Sequence, residues 1–238
     1  MIIRLMSVEL LKLRRKWIWP LVALGPVGVI ALQAVNYALR YDYLVHQQPG
    51  EPWDGLISAV AWLTLAALLT GIFILASMTA GIEHQLNAWK LTVALPVKKR
   101  HLYAAKFLLT ALLLLTASVL LIPLTVALGL SLGFGTAIPY GQLIAAALFP
   151  YLAALPVIAL QVWLSVTIHN QAVPLTVGIV GMMTANFAGS RIPDWLPYKW
   201  PQIDYAVNEP GLYVPAGIAL GLVIYAAGML DFVRKDVR

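Results

Sequence analysis

The charged residues of this chain are confined to short segments, and two long stretches have none. Residues 55–82 contain no Asp, Glu, Lys or Arg over 28 positions, and residues 107–190 contain none over 84. Of the 238 residues, 11% are charged, whereas soluble globular domains carry about 25%. Because ionised side chains are costly in hydrocarbon, these stretches indicate a protein that lies in a lipid bilayer.

The uncharged segments are long enough to cross a bilayer as helices. The hydrocarbon core is about 30 Å thick and a helix rises about 1.5 Å per residue, so a span needs about 20 apolar residues. Helices satisfy their backbone groups internally, as lipid requires. The sequence predicts an all-α integral membrane protein, one transmembrane domain over 1–238, with spans at 17–39, 56–80, 107–132, 142–168, 172–188 and 212–230.

The basic residues predict the orientation of these spans. Six spans put both termini on one side, and that side would hold 13 of the 16 Lys and Arg residues. Lys and Arg accumulate in cytoplasmic loops. Both termini and the polar segment 83–106 are therefore predicted to be cytoplasmic. The segment 189–211, rich in proline and tryptophan, would be extracellular and either re-entrant or interfacial.

Residues 1–16 are predicted to form an amphipathic helix. Apolar side chains recur every three or four residues along it. Its cations would hold it along the cytoplasmic interface, close to anionic lipid headgroups. The alternative is a basic flank that only orients the first span. The residues of the apolar stripe are Ile2, Met6, Leu10, Leu13 and Trp17.

The segment 83–106 contains more than a simple connection needs, since most loops run to about six residues. Its apolar stripe (Leu86, Trp89, Val93) lies opposite a polar face at helical spacing. The pattern predicts a short helix whose polar face turns to the cytoplasm, then a turn at Pro96 and a basic run. The polar face is Glu83, Asn87 and Lys90, and the basic run is Lys98, Lys99 and Arg100.

Two glycine motifs are interpreted as helix packing. Gly129–Gly133 matches the G-x-S-x-G nucleophile motif, which needs a strand–turn–helix setting and acidic and histidine partners. Here it lies in a stretch without carboxylates. It also reads as G-x-x-x-G, as does Gly217–Gly221, a spacing that lets helices approach closely.

No catalytic or metal-binding residues are predicted. The four histidines have no histidine or carboxylate partner at i+3 or i+4, and there is no cysteine. The chain has no glycine-rich phosphate loop, so nucleotide hydrolysis by that chemistry is not expected of it.

Uncharged polar residues within the spans have two interpretations. They either line a weakly polar path for an amphipathic substrate or make hydrogen bonds between helices, each worth about 0.6 kcal/mol. The set comprises Gln33, Asn36, Thr64, Thr70, Ser77, Gln161, Ser165 and Asn186.

Together these features resemble a permease subunit of the ABC-2 class of ATP-binding-cassette transporters. The N-terminal run Ser7–Lys16 is similar to the Glu-Leu-x-Lys-x-(Arg/Lys) helix of that family. The segment 83–106 is similar to its glutamate-led, proline-broken loop between helices two and three. Within the family, the small size and lack of soluble domains look most like bacterial permeases of lantibiotic or bacteriocin immunity and bacitracin efflux.

The resemblance implies a function and partners. The loop between helices two and three would contain a coupling helix that contacts an ATPase, and ATP and Mg²⁺ would be bound there and not by this chain. Two ATPase copies, a second permease of the same or a similar sequence, and membrane lipids are the expected partners, with no nucleic acid. The implied coupling residues are Glu83, His84, Asn87, Trp89, Lys90, Pro96, Lys98, Lys99 and Arg100.

The sequence therefore predicts a non-catalytic permease of an exporter in the bacterial cytoplasmic membrane. Its substrate would be an amphipathic peptide antibiotic or a lipid-like molecule. The alternatives are a membrane scaffold or regulatory protein that binds partners through 83–106, and a membrane-embedded enzyme. The enzyme would need clustered His, Asp or Glu residues near the bilayer, which uncharged spans do not supply.

Overall fold

The computed structural model describes residues 2–13, 17–47, 51–85, 98–187, 193–202 and 212–234. Within these ranges there are eight α-helices of 12 or more residues and no strand, as the sequence predicts for the fold class. A π-helix, Tyr43–Gln47, continues from the second helix. The helices are α1 (Ile2–Leu13), α2 (Ile18–Asp42), α3 (Pro52–Gln85), α4 (Lys99–Ser131), α5 (Tyr140–Ala153), α6 (Leu155–Thr167), α7 (Ala172–Phe187) and α8 (Tyr213–Arg234).

By length and composition, four of the described helices can cross a membrane, namely α2, α3, α4 and α8. A fifth span is obtained if α5 and α6 are counted as one bent span. The 16 residues of α7 reach about 24 Å at 1.5 Å per residue, which is shorter than a typical hydrocarbon core. The protein is a multi-pass membrane protein, and the count of six spans stays a prediction.

The span predicted over 142–168 is two helices that meet at 44°. The break falls at Ala154, which is followed by Pro156 in the first turn of α6. Proline has no backbone N–H, so the carbonyl of Leu152 loses the bond that a continuous helix would give it. Ala154 N–H still donates to the carbonyl of Pro150, which closes the last turn of α5.

Helix α8 packs closely against this bend through glycines. A Cβ at Gly217 would lie 2.8 Å from the backbone of Ala153 and from the carbonyl oxygen of Leu152. A Cβ at Gly221 would lie 2.9 Å from Leu155. The packing interpretation of the Gly217–Gly221 motif is therefore confirmed.

The other glycine motif lies at the end of α4 and packs against α3. A Cβ at Gly129 would lie 2.3 Å from the indole of Trp53. Ser131 donates to the carbonyl of Leu128 within its own helix at 2.7 Å. Gly133 has a left-handed φ of +80°, and Phe134 N–H donates to Gly129 O, so a glycine ends the helix. The packing interpretation is confirmed here as well.

The long helices define two ends of the bundle. At one end, α3 finishes at Gln85 and α4 begins at Lys99, and α1 packs against α4. We call this the charged end. At the other end, Trp53 donates to the carbonyl of Phe134. The 34 residues of α3 reach about 50 Å, beyond a hydrocarbon core of about 30 Å, so both ends can extend past the lipid tails.

Candidate functional site: a ring of buried charges at the coupling segment

Helix α1 turns a different face to the protein from the one predicted. Glu9 and Leu13 are buried, and partly buried Met6 packs against the core. Leu10 is 39% exposed and Trp17 is 82% exposed, so the predicted apolar stripe is wrong at these two residues. The buried face contains a carboxylate because oppositely charged groups on α3 and α4 meet it.

Four charged side chains close a ring at the charged end. Glu9 and Lys12 come from α1, Glu83 from the last turn of α3, and Lys106 from the second turn of α4. Lys106 Nζ lies 2.5 Å from Glu9 and 2.7 Å from Glu83. Lys12 Nζ lies 2.6 Å from Glu9 and 3.0 Å from Glu83. Each charge therefore contacts two charges of the opposite sign, and we call this set the charge ring.

The ring is mostly buried. The side chains of Lys106 and Glu83 are each 2% exposed, that of Glu9 is 4% exposed and that of Lys12 is 32% exposed. Lys106 Nζ also donates to the carbonyl of Thr79 at 2.8 Å, so all three of its N–H groups have acceptors. Buried charges are tolerated when they are paired and hydrogen-bonded, as these are.

The ring changes the ionisation of the α1 residues. Burial by itself would raise the pKa of the Glu9 carboxyl, but Lys106 and Lys12 outweigh it, and the pKa is lowered. Burial would likewise lower the pKa of Lys12, but Glu9 and Glu83 outweigh it and raise that pKa. Both groups are held in their charged forms around neutral pH.

The lowered pKa of Glu9 predicts a loss of stability in acid. Because the folded-state pKa lies below the ordinary 4.5, the carboxylate contributes stability above that pH. This contribution is lost as the pH falls from 4.5 through the lowered value. We expect the thermal unfolding temperature in detergent to fall more steeply below pH 4.5 for the unmodified protein than for Glu9→Gln. Parallel pH profiles for the two proteins would contradict this.

The predicted coupling residues fall into three groups. Asn87, Trp89, Lys90 and Pro96 lie outside the described residues. Lys98 and Arg100 are exposed and Lys99 is half-buried at the start of α4. Glu83 and His84 are in α3, and Glu83 is a ring member. The prediction that the Glu83 side chain faces the cytoplasm is therefore wrong, because its carboxylate pairs with two lysines.

A cavity of about 430 Å³ lies between α2, α3 and α4. Its wall is apolar apart from the hydroxyls of Thr64, Thr70 and Ser118, and it includes Gly25 and Gly28 of α2. Of the predicted path residues, only Thr64 and Thr70 are among the described residues that line it. The predicted polar path is therefore not gathered into this cavity.

Most of the predicted path residues have hydrogen-bond partners within the protein. Gln33 donates to the carbonyl of Ala59 at 2.8 Å, and Asn36 donates to Gln33. Ser77 donates to Gln171 at 3.1 Å. The remaining described contacts join Gln161 to the Tyr198 hydroxyl, Thr70 to Met182 and Thr64 to its own helix. The Ser165 hydroxyl is buried without a partner among the described residues, and the Asn186 side chain lies outside them.

A family model described as "ABC-2 family transporter protein" matches residues 5–185, about three quarters of the chain. The chain belongs to the ABC-2 transporter family. A comparison with curated proteins gives no significant match. The matched range of this ABC-2 protein covers helices α1 to α6 and most of α7, and so contains the whole charge ring and the cavity. Membership makes the chain a membrane permease and implies association with an ABC ATPase.

The structure of this ABC-2 permease also shows contacts that the sequence analysis missed. His84 lies 3.0 Å from the carbonyl oxygen of Ser165, and its ring meets that of His169 edge to face with centroids 5.2 Å apart. Trp163 donates to Asp231 at 2.9 Å, which joins α6 to α8. Among the described residues, no group of three or more His, Asp or Glu residues could hold a metal ion.

Proposed function

We propose that this chain is the permease subunit of an ATP-binding-cassette exporter, with its ATPase bound to the segment 83–106. One observation carries the proposal. The first and last residues of that segment, Glu83 and Lys106, are joined by an ion pair of 2.7 Å. The segment therefore leaves and re-enters the bundle at one fixed point, as a lever that transmits motion must.

The described residues beside that point offer a surface for a partner. Lys98 and Arg100 are exposed at the start of α4 and lie outside the charge ring. Exposed basic side chains attract an acidic partner surface and raise the rate and specificity of association. We assign the docking contact to these residues, together with the part of the segment between 86 and 97.

The cavity supports an apolar or amphipathic substrate. Its volume of about 430 Å³ is within the range of small-molecule sites, and none of its lining residues is charged. A peptide antibiotic or lipid-like molecule would be held there mainly by burial of apolar surface. The branch of permeases that exports lantibiotics, bacteriocins or bacitracin fits this chemistry and is part of the proposal.

The mechanism follows from the helices around the cavity. ATP would draw two ATPase subunits together, and the segments that they contact would move inward. α3 and α4 start or end at the charged end and also line the cavity, so this movement reaches the substrate directly. A second permease copy, of the same or a similar sequence, would complete the path. The charged end and both termini face the cytoplasm, consistent with the accumulation of Lys and Arg there.

The docking assignment is tested by charge reversal. We expect Lys98→Glu/Arg100→Glu to lower the amount of ATPase that co-purifies from native membranes by about tenfold, because two attractive contacts become repulsive. The matched control is Arg40→Glu, a reversal of an exposed charge at the opposite end, which should leave co-purification unchanged. Equal recovery of ATPase with both variants would contradict the docking site. Recovery of no ATPase even with the unmodified chain would favour a scaffold instead.

A further inference from the structure

The charge ring connects three helices, and only two of them flank the coupling segment. α3 and α4 supply Glu83 and Lys106 at the two ends of that segment. α1 supplies the other two ring members, Glu9 and Lys12, from a helix remote in sequence. A lysine–glutamate pair between α3 and α4 would be sufficient to fix the segment, so the α1 charges require a separate explanation.

The ring makes separation of α1 from the other two helices costly. Moving α1 away would break the contacts of Glu9 with Lys106 and of Lys12 with Glu83. Lys106 and Glu83 would each lose one of two opposite charges while remaining buried. Uncompensated buried charge costs several kcal/mol, far more than a surface ion pair. The lowest-cost motion therefore keeps α1, the end of α3 and the start of α4 together.

The chain after α1 leads to the cavity. Leu13, the last residue of α1, and Ile18, the first of α2, are both buried in the same apolar core. Only four residues separate them, and α2 supplies the cavity wall from Leu21 to Leu32. A displacement of α1 is therefore delivered to the one cavity helix that does not border the coupling segment.

We propose that α1 is part of the transmission path, with Glu9 and Lys12 as positioning residues that make it move as one body with the coupling segment. When the ATPase displaces the segment, the charge ring carries α1 along, and α1 moves α2. The ATPase thus acts on all three walls of the cavity. This inference rests on the proposed function, since it needs an ATPase bound at the segment.

Pulsed electron-spin distance measurements test this in the complex with the ATPase, with and without ATP trapped by vanadate. The chain has no cysteine, so exposed residues can be replaced and labelled without background. One pair, Leu11→Cys and Leu108→Cys, reports on α1 relative to α4. A second pair, Leu11→Cys and Leu222→Cys, reports on α1 across the bundle to α8. Leu11, Leu108 and Leu222 are 63%, 38% and 61% exposed.

The ring is opened by Glu9→Gln/Lys12→Gln. This double variant removes both α1 charges and leaves Lys106 paired with Glu83, so no buried charge is left alone and folding is preserved. The control is Arg4→Gln, which removes an exposed charge from the same helix.

In the unmodified complex we expect ATP trapping to change the Leu11–Leu108 distance by less than about 2 Å while the Leu11–Leu222 distance changes by more. In the double variant, the Leu11–Leu108 distance should change or broaden by about 5 Å, and Arg4→Gln should behave as the unmodified chain. A double variant that matches the unmodified chain, or α1 moving relative to α4 in the unmodified chain, overturns the inference and leaves the proposed function intact. ATP trapping that alters neither distance overturns both.

Discussion

Replacing Lys106 with methionine is expected to lower the free energy of unfolding by about 3–5 kcal/mol, the cost of removing one partner from a buried ion pair. The variant leaves Glu9 and Glu83 buried with only Lys12 between them, and it removes the donor to the Thr79 carbonyl. Methionine is similar to lysine in size, so the cost is electrostatic and not that of a cavity. Reversible unfolding in mixed micelles measures it.

Two further variants make this result specific. Lys98→Met removes an exposed lysine one residue before α4 begins and should change stability by less than about 0.5 kcal/mol. Lys106→Met/Glu9→Gln leaves Lys12 paired with Glu83 and should recover at least about half of the loss. A cost for Lys106→Met below about 1 kcal/mol, as for a surface pair, would show that the ring is not buried as described.

Replacing Gly217 with valine is the second large effect expected. The new Cβ would lie 2.8 Å from backbone atoms of Ala153 and Leu152, and backbone cannot turn aside as a flexible side chain can. α8 must then move away from the bend between α5 and α6, with a cost of about 1–3 kcal/mol or more. The thermal unfolding temperature in detergent should fall by several degrees.

Gly25→Val is the matched control for this substitution. Gly25 is also a helical glycine in a membrane span, but nothing lies within 4 Å of its Cβ position. Its unfolding temperature should equal or exceed that of the unmodified protein, because valine is a better helix former than glycine. Equal losses at the two positions would mean that helix propensity and not close packing explains Gly217.

The all-helical membrane fold was predictable because it depends on composition. A stretch of 84 residues without a charge has few stable forms in lipid other than helices. The division of the segment 142–168 was not predictable to the residue, although Pro150 and Pro156 lie in it. Proline kinks some membrane helices and breaks others, and the outcome at Ala154 depends on α8, whose glycines pack against the bend.

The charge ring is the part of the site that sequence reasoning missed. Glu83 and Lys106 were assigned to a water-facing loop because each lies beside an uncharged stretch. Their positions held a usable signal, since Glu83 is the first charge after one stretch and Lys106 the last before the next. Two helices that pack antiparallel bring such positions together. The third partner, Glu9, is 74 residues from Glu83, and only the packing of α1 against α4 reveals it.

The most direct test of the central claim is a photo-cross-link from the charged end to an ATPase in intact cells. A photoreactive amino acid placed at Lys98 should cross-link to a protein that carries the phosphate-binding sequence G-x-x-x-x-G-K-[S/T], identified by mass spectrometry. The same amino acid at Glu51, exposed at the opposite end of the bundle, should give no such product. An ATPase cross-linked from Glu51, or none from Lys98, would contradict the assignment of this chain as a permease driven through the segment 83–106.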